Sequence, residues 1–131
     1  MISTKTFKMS LIEIKKTDFE FEDGRGLICQ ICHGNTAQVN YVFSKQGAVR
    51  GRFHYHKAAK EQFYVISGKL KLEVFRDNTR EEYVFGTGEV FLIPPLVRHN
   101  FIYLEDTQLV SMYDRCVENG ANEKDIFSDL R

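Results

Sequence analysis

The sequence predicts an all-β domain of sandwich or barrel type, and two features of the 131-residue chain carry that expectation. Short runs in which apolar and polar residues alternate with period two recur along most of its length. Gly, Asn and Asp break the chain between these runs at intervals suited to tight turns. The only two prolines are adjacent, Pro94 and Pro95.

In chain order, Leu11, Ile12 and Ile14 predict one or two edge strands before residue 20. LICQICHG (27–34) is rich in β-branched and apolar residues and reads as a strand. VNYVFS (39–44), EQFYVIS (61–67), KLKLEVF (69–75), EEYVF (81–85), EVFLI (89–93), HNFIYL (99–104) and QLVSMYD (108–114) follow. The alternation is sharpest in KLKLEVF, where Leu70, Leu72 and Val74 share one face and Lys69, Lys71 and Glu73 the other. Turn chemistry separates these runs at SGK (67–69) and RDNTR (76–80). In the tail, Asn122 is a candidate cap for a short helix holding Ile126, Phe127 and Leu130.

The length suits one domain, residues 1–131, with a core that needs no disulfides. Eighteen basic and eighteen acidic side chains cancel, so no overall field points to nucleic acid or to an anionic membrane. No apolar run reaches the roughly 20 residues that cross a bilayer. The opening MISTKTFKMSLIEIKK lacks the pattern of a secretory signal. A cytoplasmic protein with reduced thiols is expected.

CQICHG (29–34) has the C-x-x-C-H spacing of a heme attachment site. On a strand, however, Cys29 and Cys32 project to opposite faces and cannot easily share an iron, a zinc or a disulfide. With Cys116 isolated, all three cysteines are expected to be buried or half-buried scaffold residues. His33 is then the histidine left outside the functional site.

The other three of the four histidines carry the chemistry. His54 and His56 stand two apart, so on a strand both rings leave one face. Glu61 follows five residues later on the next strand, and His99 comes after the Pro-Pro corner. Converged, they form a three-nitrogen, one-oxygen set suited to a divalent ion, Fe, Mn, Ni or Zn. Each residue alone is an ordinary polar strand residue, so the set requires a sheet that folds over on itself.

These residues resemble the cupins, whose motifs are G-x5-H-x-H-x3,4-E-x6-G and G-x5-P-x-G-x2-H-x3-N. His54, His56, Glu61 and Gly68 match the first at its spacing, with Gly47 one position early; Gly88, Pro94 and His99 match the second. Leu96 and Tyr103 stand where the family has Gly and Asn. The resemblance implies a double-stranded β-helix, or jelly-roll barrel, with His54, His56, Glu61 and His99 as metal ligands inside it.

Within the cupins, DGRGL (23–27), NYVFSKQG (40–47) and GRFHYHK (51–57) resemble stretches of the nucleotide-sugar branch of ketoisomerases and epimerases. That branch implies an isomerase or epimerase acting on a nucleotide-linked keto-deoxy-sugar. In its ketoisomerases the paired histidines act as free acid and base, whereas a metal-bound imidazole has no free lone pair for that role. Tyr41 and Tyr103 are therefore the candidates for proton transfer, and Arg52 for substrate binding. Two alternatives stand beside this: an Fe(II)-dependent dioxygenase of small molecules, and a non-catalytic sugar- or small-molecule-binding module. Edge strands with unpaired backbone groups, FKMSLIEIK among the sources, predict a homodimer.

Overall fold

The computed structural model describes residues 10–118 and 124–129. Among these residues eleven strands and no α-helix occur, in chain order β1 (Glu13–Lys15), β2 (Phe19–Asp23), β3 (Gly26–Gln30), β4 (Gln38–Ser44), β5 (Val49–His54), β6 (Glu61–Ser67), β7 (Lys69–Arg76), β8 (Thr79–Gly86), β9 (Val90–Ile93), β10 (Arg98–Tyr103) and β11 (Thr107–Tyr113). Two antiparallel sheets face each other, ordered β1-β9-β6-β11-β4 and β5-β10-β7-β8, and β2-β3 form a separate hairpin. The eight strands β4 to β11 distribute four to each sheet with the order of a jelly roll.

Alternation decides which face each strand buries. Leu70, Leu72 and Val74 of β7 are wholly buried, as the pattern in KLKLEVF requires. Phe63 of β6 and Phe91 of β9 stack at 4.8 Å, and Phe91 stacks on Phe85 of β8 at 4.1 Å with planes 11° apart. Phe101 of β10 closes the group 5.1 Å from Phe63. This aromatic stack joins the two sheets and replaces any need for a disulfide.

The hairpin at SGK turns at Gly68, whose φ is +104°. A Cβ there would lie 2.4 Å from the Asp106 carbonyl oxygen, so only glycine admits this approach of the β6-β7 turn to the start of β11.

Three sequence-based expectations are corrected. The C-terminal helix does not form: Phe127 exchanges backbone hydrogen bonds with Tyr55 in an isolated bridge, and Lys124 bridges Glu118. Those long-range partners satisfy the backbone groups that a helix would need. Its proposed cap Asn122, together with Leu130, lies outside the described residues. LICQICHG is a strand only to Gln30, where β3 ends, and Cys116 is exposed although Cys29 and Cys32 are half-buried. Cys32 leaves the hairpin and sits with its sulfur 3.4 Å from that of Met112. Among the described residues no helix is long and apolar enough to cross a membrane.

Leu96 adopts φ +71°, a left-handed conformation that glycine accepts without strain, and its N–H donates to the His56 carbonyl at 2.7 Å. A left-handed Cβ costs roughly 1–2 kcal/mol. Leu96→Gly is therefore expected to stabilise the protein by about 1 kcal/mol once the extra freedom of glycine in the unfolded chain is deducted. Urea unfolding of the two proteins at neutral pH measures this, and a destabilised variant would show that packing of the Leu96 side chain outweighs the strain.

Candidate metal centre

His54 ends β5 and His99 lies in β10, where the two are direct cross-strand partners. Their close approach depends on Gly51, at φ +96°, because a Cβ there would come within 2.8 Å of the His99 carbonyl oxygen. Glu61 opens β6 in the opposite sheet, beside Tyr113 of β11 and Ile93 of β9. His56 lies just past β5, so the centre sits between the sheets at one end of the barrel.

Each imidazole presents its Nδ1 to a backbone carbonyl: His54 to Gly51 at 2.8 Å, His99 to Val97 at 3.0 Å and His56 to Asp125 at 2.6 Å. A carbonyl only accepts, so the neutral rings of His54 and His99 carry their proton on Nδ1 and leave the Nε2 lone pair free, whereas His56 faces an acceptor at each nitrogen. The Nε2 atoms of His54 and His99 are 3.0 Å apart. Glu61 Oε1 lies 3.2 Å from Nε2 of His56 and 3.8 Å from Nε2 of His99.

Burial holds His99 well below the ordinary imidazole range, assisted by His54, and burial likewise lowers His54. Burial also works to lower His56, but the Glu61 carboxylate, accepting from Nε2, and the Asp125 carbonyl outweigh it and the pKa rises. Two neutral lone pairs facing each other at 3.0 Å repel unless a cation lies between them. The separation is close to the spacing of adjacent nitrogen ligands at about 2.1 Å from one ion. His54, His56 and His99, with ligand atoms all within 4.8 Å of one another, can hold a metal ion. Glu61 supplies an adjacent carboxylate oxygen.

A cavity of about 170 Å³ opens beside this centre and is lined by Arg50, His54, Glu61, His99, Tyr103 and Tyr113 among others. Tyr103 is 3% exposed. Burial pushes its phenol up, while its hydrogen bond to Ser44 and the Arg50 charge pull the other way. Arg50 donates through Nε to the Ser44 hydroxyl at 2.8 Å and through NH2 to the Phe43 carbonyl at 3.2 Å. Arg50, Ser44 and Tyr103 thus form one polar wall.

Two candidates from the sequence lie elsewhere. Tyr41 is 60% exposed on the outer face of β4, its hydroxyl donating to Gln108 Oε1 at 2.8 Å. The alternation of β4 directs Asn40 and Val42 toward the cavity instead. Arg52 is exposed, and its backbone N–H is held by Asn100 Oδ1 at 3.0 Å. Gly51, Arg52 and Phe53 all have positive φ, at 96°, 47° and 62°. This kink breaks period two, so Arg50 lines the cavity and Arg52 does not.

Two contributors were missed. Tyr113 packs edge-on against His56, with centroids 5.4 Å apart, and its hydroxyl hydrogen-bonds Glu61; burial first and then the carboxylate push its pKa far up. Its parity with Leu109 and Ser111 in QLVSMYD was the available signal. Asp125 was indicated by nothing local. His33, as expected, is apart from the centre and pairs with Asp18 at 2.8 Å.

A model of the cupin domain matches residues 40–113. The chain belongs to the cupin family. Curated relatives of this cupin include 3-hydroxyanthranilate 3,4-dioxygenases of Burkholderia cenocepacia and Paraburkholderia phytofirmans, each 34% identical over 62 residues. Those segments cover 47% of this chain and 35% and 36% of the relatives, so the match spans about a third of their length.

Among solved structures, a sugar 3,4-ketoisomerase from Thermoanaerobacterium thermosaccharolyticum in complex with TDP superimposes with TM-score 0.74 at 15% identity, covering 88% of each chain. A 3,4-ketoisomerase from Helicobacter canadensis gives 0.75 at 14% identity over 90% of each chain. A dTDP-4-dehydrorhamnose 3,5-epimerase from Sulfolobus tokodaii gives 0.68 at 20% identity, covering 86% of this cupin and 80% of the epimerase. At these identities the likeness is one of fold.

The raised pKa of Tyr103 has a consequence for stability. Above about pH 10 an unfolded chain releases the phenol proton while the folded one retains it, so stability falls as pH rises through that window. Tyr103→Phe is expected to fall less steeply between pH 9 and 11, measured by urea unfolding. Identical slopes for the two proteins would contradict the burial assigned to the hydroxyl.

Proposed function

We propose that this cupin is a metal-dependent isomerase or epimerase of a keto-sugar carried on a nucleotide, with the sugar ring inside the barrel. One observation carries the reading: Tyr103 and Arg50 line the same cavity as His54, His99 and Glu61. At about 170 Å³ the cavity is smaller than the roughly 300–1,000 Å³ of sites that enclose a drug-sized ligand. A single ring enters it and the nucleotide stays outside. Phe63, Phe101 and Leu109 offer apolar surface to a deoxy-sugar face. The ligand complexes named for the structural relatives, TDP and a TDP-linked keto-sugar among them, support the same substrate class.

His54, His56, Glu61 and His99 would hold the ion, which the donor set leaves open among Fe, Mn, Ni and Zn. When bound, such an ion acts as a Lewis acid toward a carbonyl oxygen and makes the neighbouring C–H bonds more acidic. The rest is work for the chain. With its pKa raised, Tyr103 keeps its proton at neutral pH and serves as the acid: after a solvent-derived base has taken the ring proton beside the carbonyl, Oη returns a proton to the ring carbon and is itself reprotonated from solvent. Arg50, held by Ser44 and the Phe43 carbonyl, directs positive charge at an oxyanion.

A second reading, a metal-dependent dioxygenase of a small organic acid, has its own support. The three-nitrogen, one-oxygen set suits Fe(II), Arg50 suits a carboxylate, and the curated relatives bear a dioxygenase name. The small cavity accommodates a single aromatic ring as readily as a sugar.

Incubation with a panel of nucleoside-diphosphate 4-keto-6-deoxy-sugars in D₂O, followed by NMR, is expected to show deuterium entering beside the carbonyl. Tyr103→Phe should slow that exchange on the order of 100-fold at unchanged metal content. No exchange with any sugar, together with iron-dependent oxygen uptake on small aromatic acids, would transfer the assignment to the second reading.

The homodimer belongs to this proposal as well. Val39, Tyr41 and Phe43 expose an apolar row on the edge strand β4, at 61%, 60% and 45%. Pairing with a second copy would cover it and the free edge together. Sedimentation at micromolar concentration should show a dimer, and Tyr41→Glu should shift it toward monomer. A wild-type protein that sediments only as monomer would remove this part of the proposal.

A further inference from the structure

The three histidines of the centre are not held alike. His54 finds its Nδ1 acceptor three residues away at Gly51, and His99 two residues away at Val97. Both rings are therefore oriented by their own strands. His56 finds its acceptor 69 residues away, at the carbonyl of Asp125. That carbonyl belongs to residues 124–129, which lie outside both sheets.

The segment is seated by several independent contacts. The Asp125 carboxylate accepts the backbone N–H groups of Lys57 at 2.7 Å, Ala58 at 3.0 Å and Ala59 at 2.8 Å. These are the three residues immediately after His56. Burial works to raise the Asp125 pKa, but the three N–H groups outweigh it and hold the carboxylate ionised. Tyr55 and Phe127 exchange backbone hydrogen bonds at 2.9 and 3.0 Å, and the Asp125 N–H donates to Val117 at 2.8 Å. The ring of Phe127 packs on Tyr55 and beneath the Lys57 ammonium, and Arg98 pairs with Asp129.

We propose that residues 124–129 are a latch that fixes the tautomer and ring orientation of His56, so that divalent-metal affinity at the centre depends on the latch being seated. The inference rests on the reading that the three-histidine centre takes a metal ion. With the latch released, Nδ1 of His56 loses its acceptor, the Glu61 carboxylate 3.2 Å from Nε2 competes for the ring proton so that the neutral ring divides between tautomers, and the ring orientation is no longer fixed from the Nδ1 side. Asp125 and Phe127 are positioning residues: they touch neither the cavity nor any substrate, and act through His56. Loss of such an outer hydrogen-bond partner typically weakens metal binding 10- to 100-fold.

The test compares wild type with Asp125→Ala, which leaves three N–H groups without their acceptor, and with Asp125→Asn, which keeps one acceptor oxygen. Co(II) affinity is measured by absorption and chelator competition, and the His56 tautomer by ¹⁵N NMR of metal-free protein at a pH where the rings are neutral. Asp125→Ala should bind Co(II) at least 10-fold more weakly and show mixed tautomers, while its metal-free form still unfolds cooperatively. Asp125→Asn should recover part of the affinity, and it decides the matter if the alanine variant fails to fold. Equal Co(II) affinity with an unchanged Nδ1–H tautomer would overturn the latch and leave the metal centre standing. If the wild type takes up no Co(II), the metal reading fails separately, and the tautomer comparison alone then supports the latch or overturns it.

Discussion

Three imidazoles turned the same way govern this molecule. Each directs Nδ1 at a backbone carbonyl and Nε2 into the space between the sheets, where His54 and His99 keep a lone pair and His56 meets the Glu61 carboxylate. Lone pairs crowded together out of water are unfavourable unless a proton or a cation joins them. The barrel must therefore be rigid enough to impose the arrangement. The stack of Phe85, Phe91, Phe63 and Phe101 supplies that rigidity by tying one sheet to the other.

The same rigidity separates the cavity into two ends with different chemistry. At one end the nitrogen atoms and Glu61 form an electron-rich centre, with the Tyr113 hydroxyl orienting the carboxylate. At the other, Arg50, Ser44 and Tyr103 form a wall that donates hydrogen bonds and carries positive charge. A molecule bound between them meets both at once. That polarity, and not the fold shared with other cupins, narrows what the cavity can do. A jelly roll hosts many chemistries, and side chains at the site choose among them.

Backbone conformation is the second constraint. Successive positive φ values at Gly51, Arg52 and Phe53 end β5 in a kink, and the chain then turns outward to meet the C-terminal segment. The kink brings His54 against His99 while carrying His56 to where Asp125 can hold it. It also removes Arg52 from the cavity and keeps Arg50 in it. Strain at Leu96 lies on the facing loop, whose N–H is bonded to the His56 carbonyl. Among the described residues, three of the four non-glycine positions with positive φ, Arg52, Phe53 and Leu96, lie around this centre, and Asp77 lies in the β7–β8 turn.

Much was legible in the order of residues. Period-two alternation is local, so most of the strands and the inward sets Leu70, Leu72, Val74 and Leu109, Ser111, Tyr113 follow from it directly. The spacing of His54, His56, Glu61 and Gly68 marked the centre because a hairpin needs that many residues to turn and return. Tertiary structure decided the rest: which of two arginines faces inward, that Tyr41 points outward, and that the tail pairs with Tyr55 instead of coiling. The arginine and tail outcomes depend on left-handed backbone angles at non-glycine residues and on carbonyl acceptors as far off as Phe127 is from Tyr55, and the Tyr41 outcome on which face of β4 meets the other sheet. None of these is written in neighbouring side chains, so only the assembled barrel could determine them.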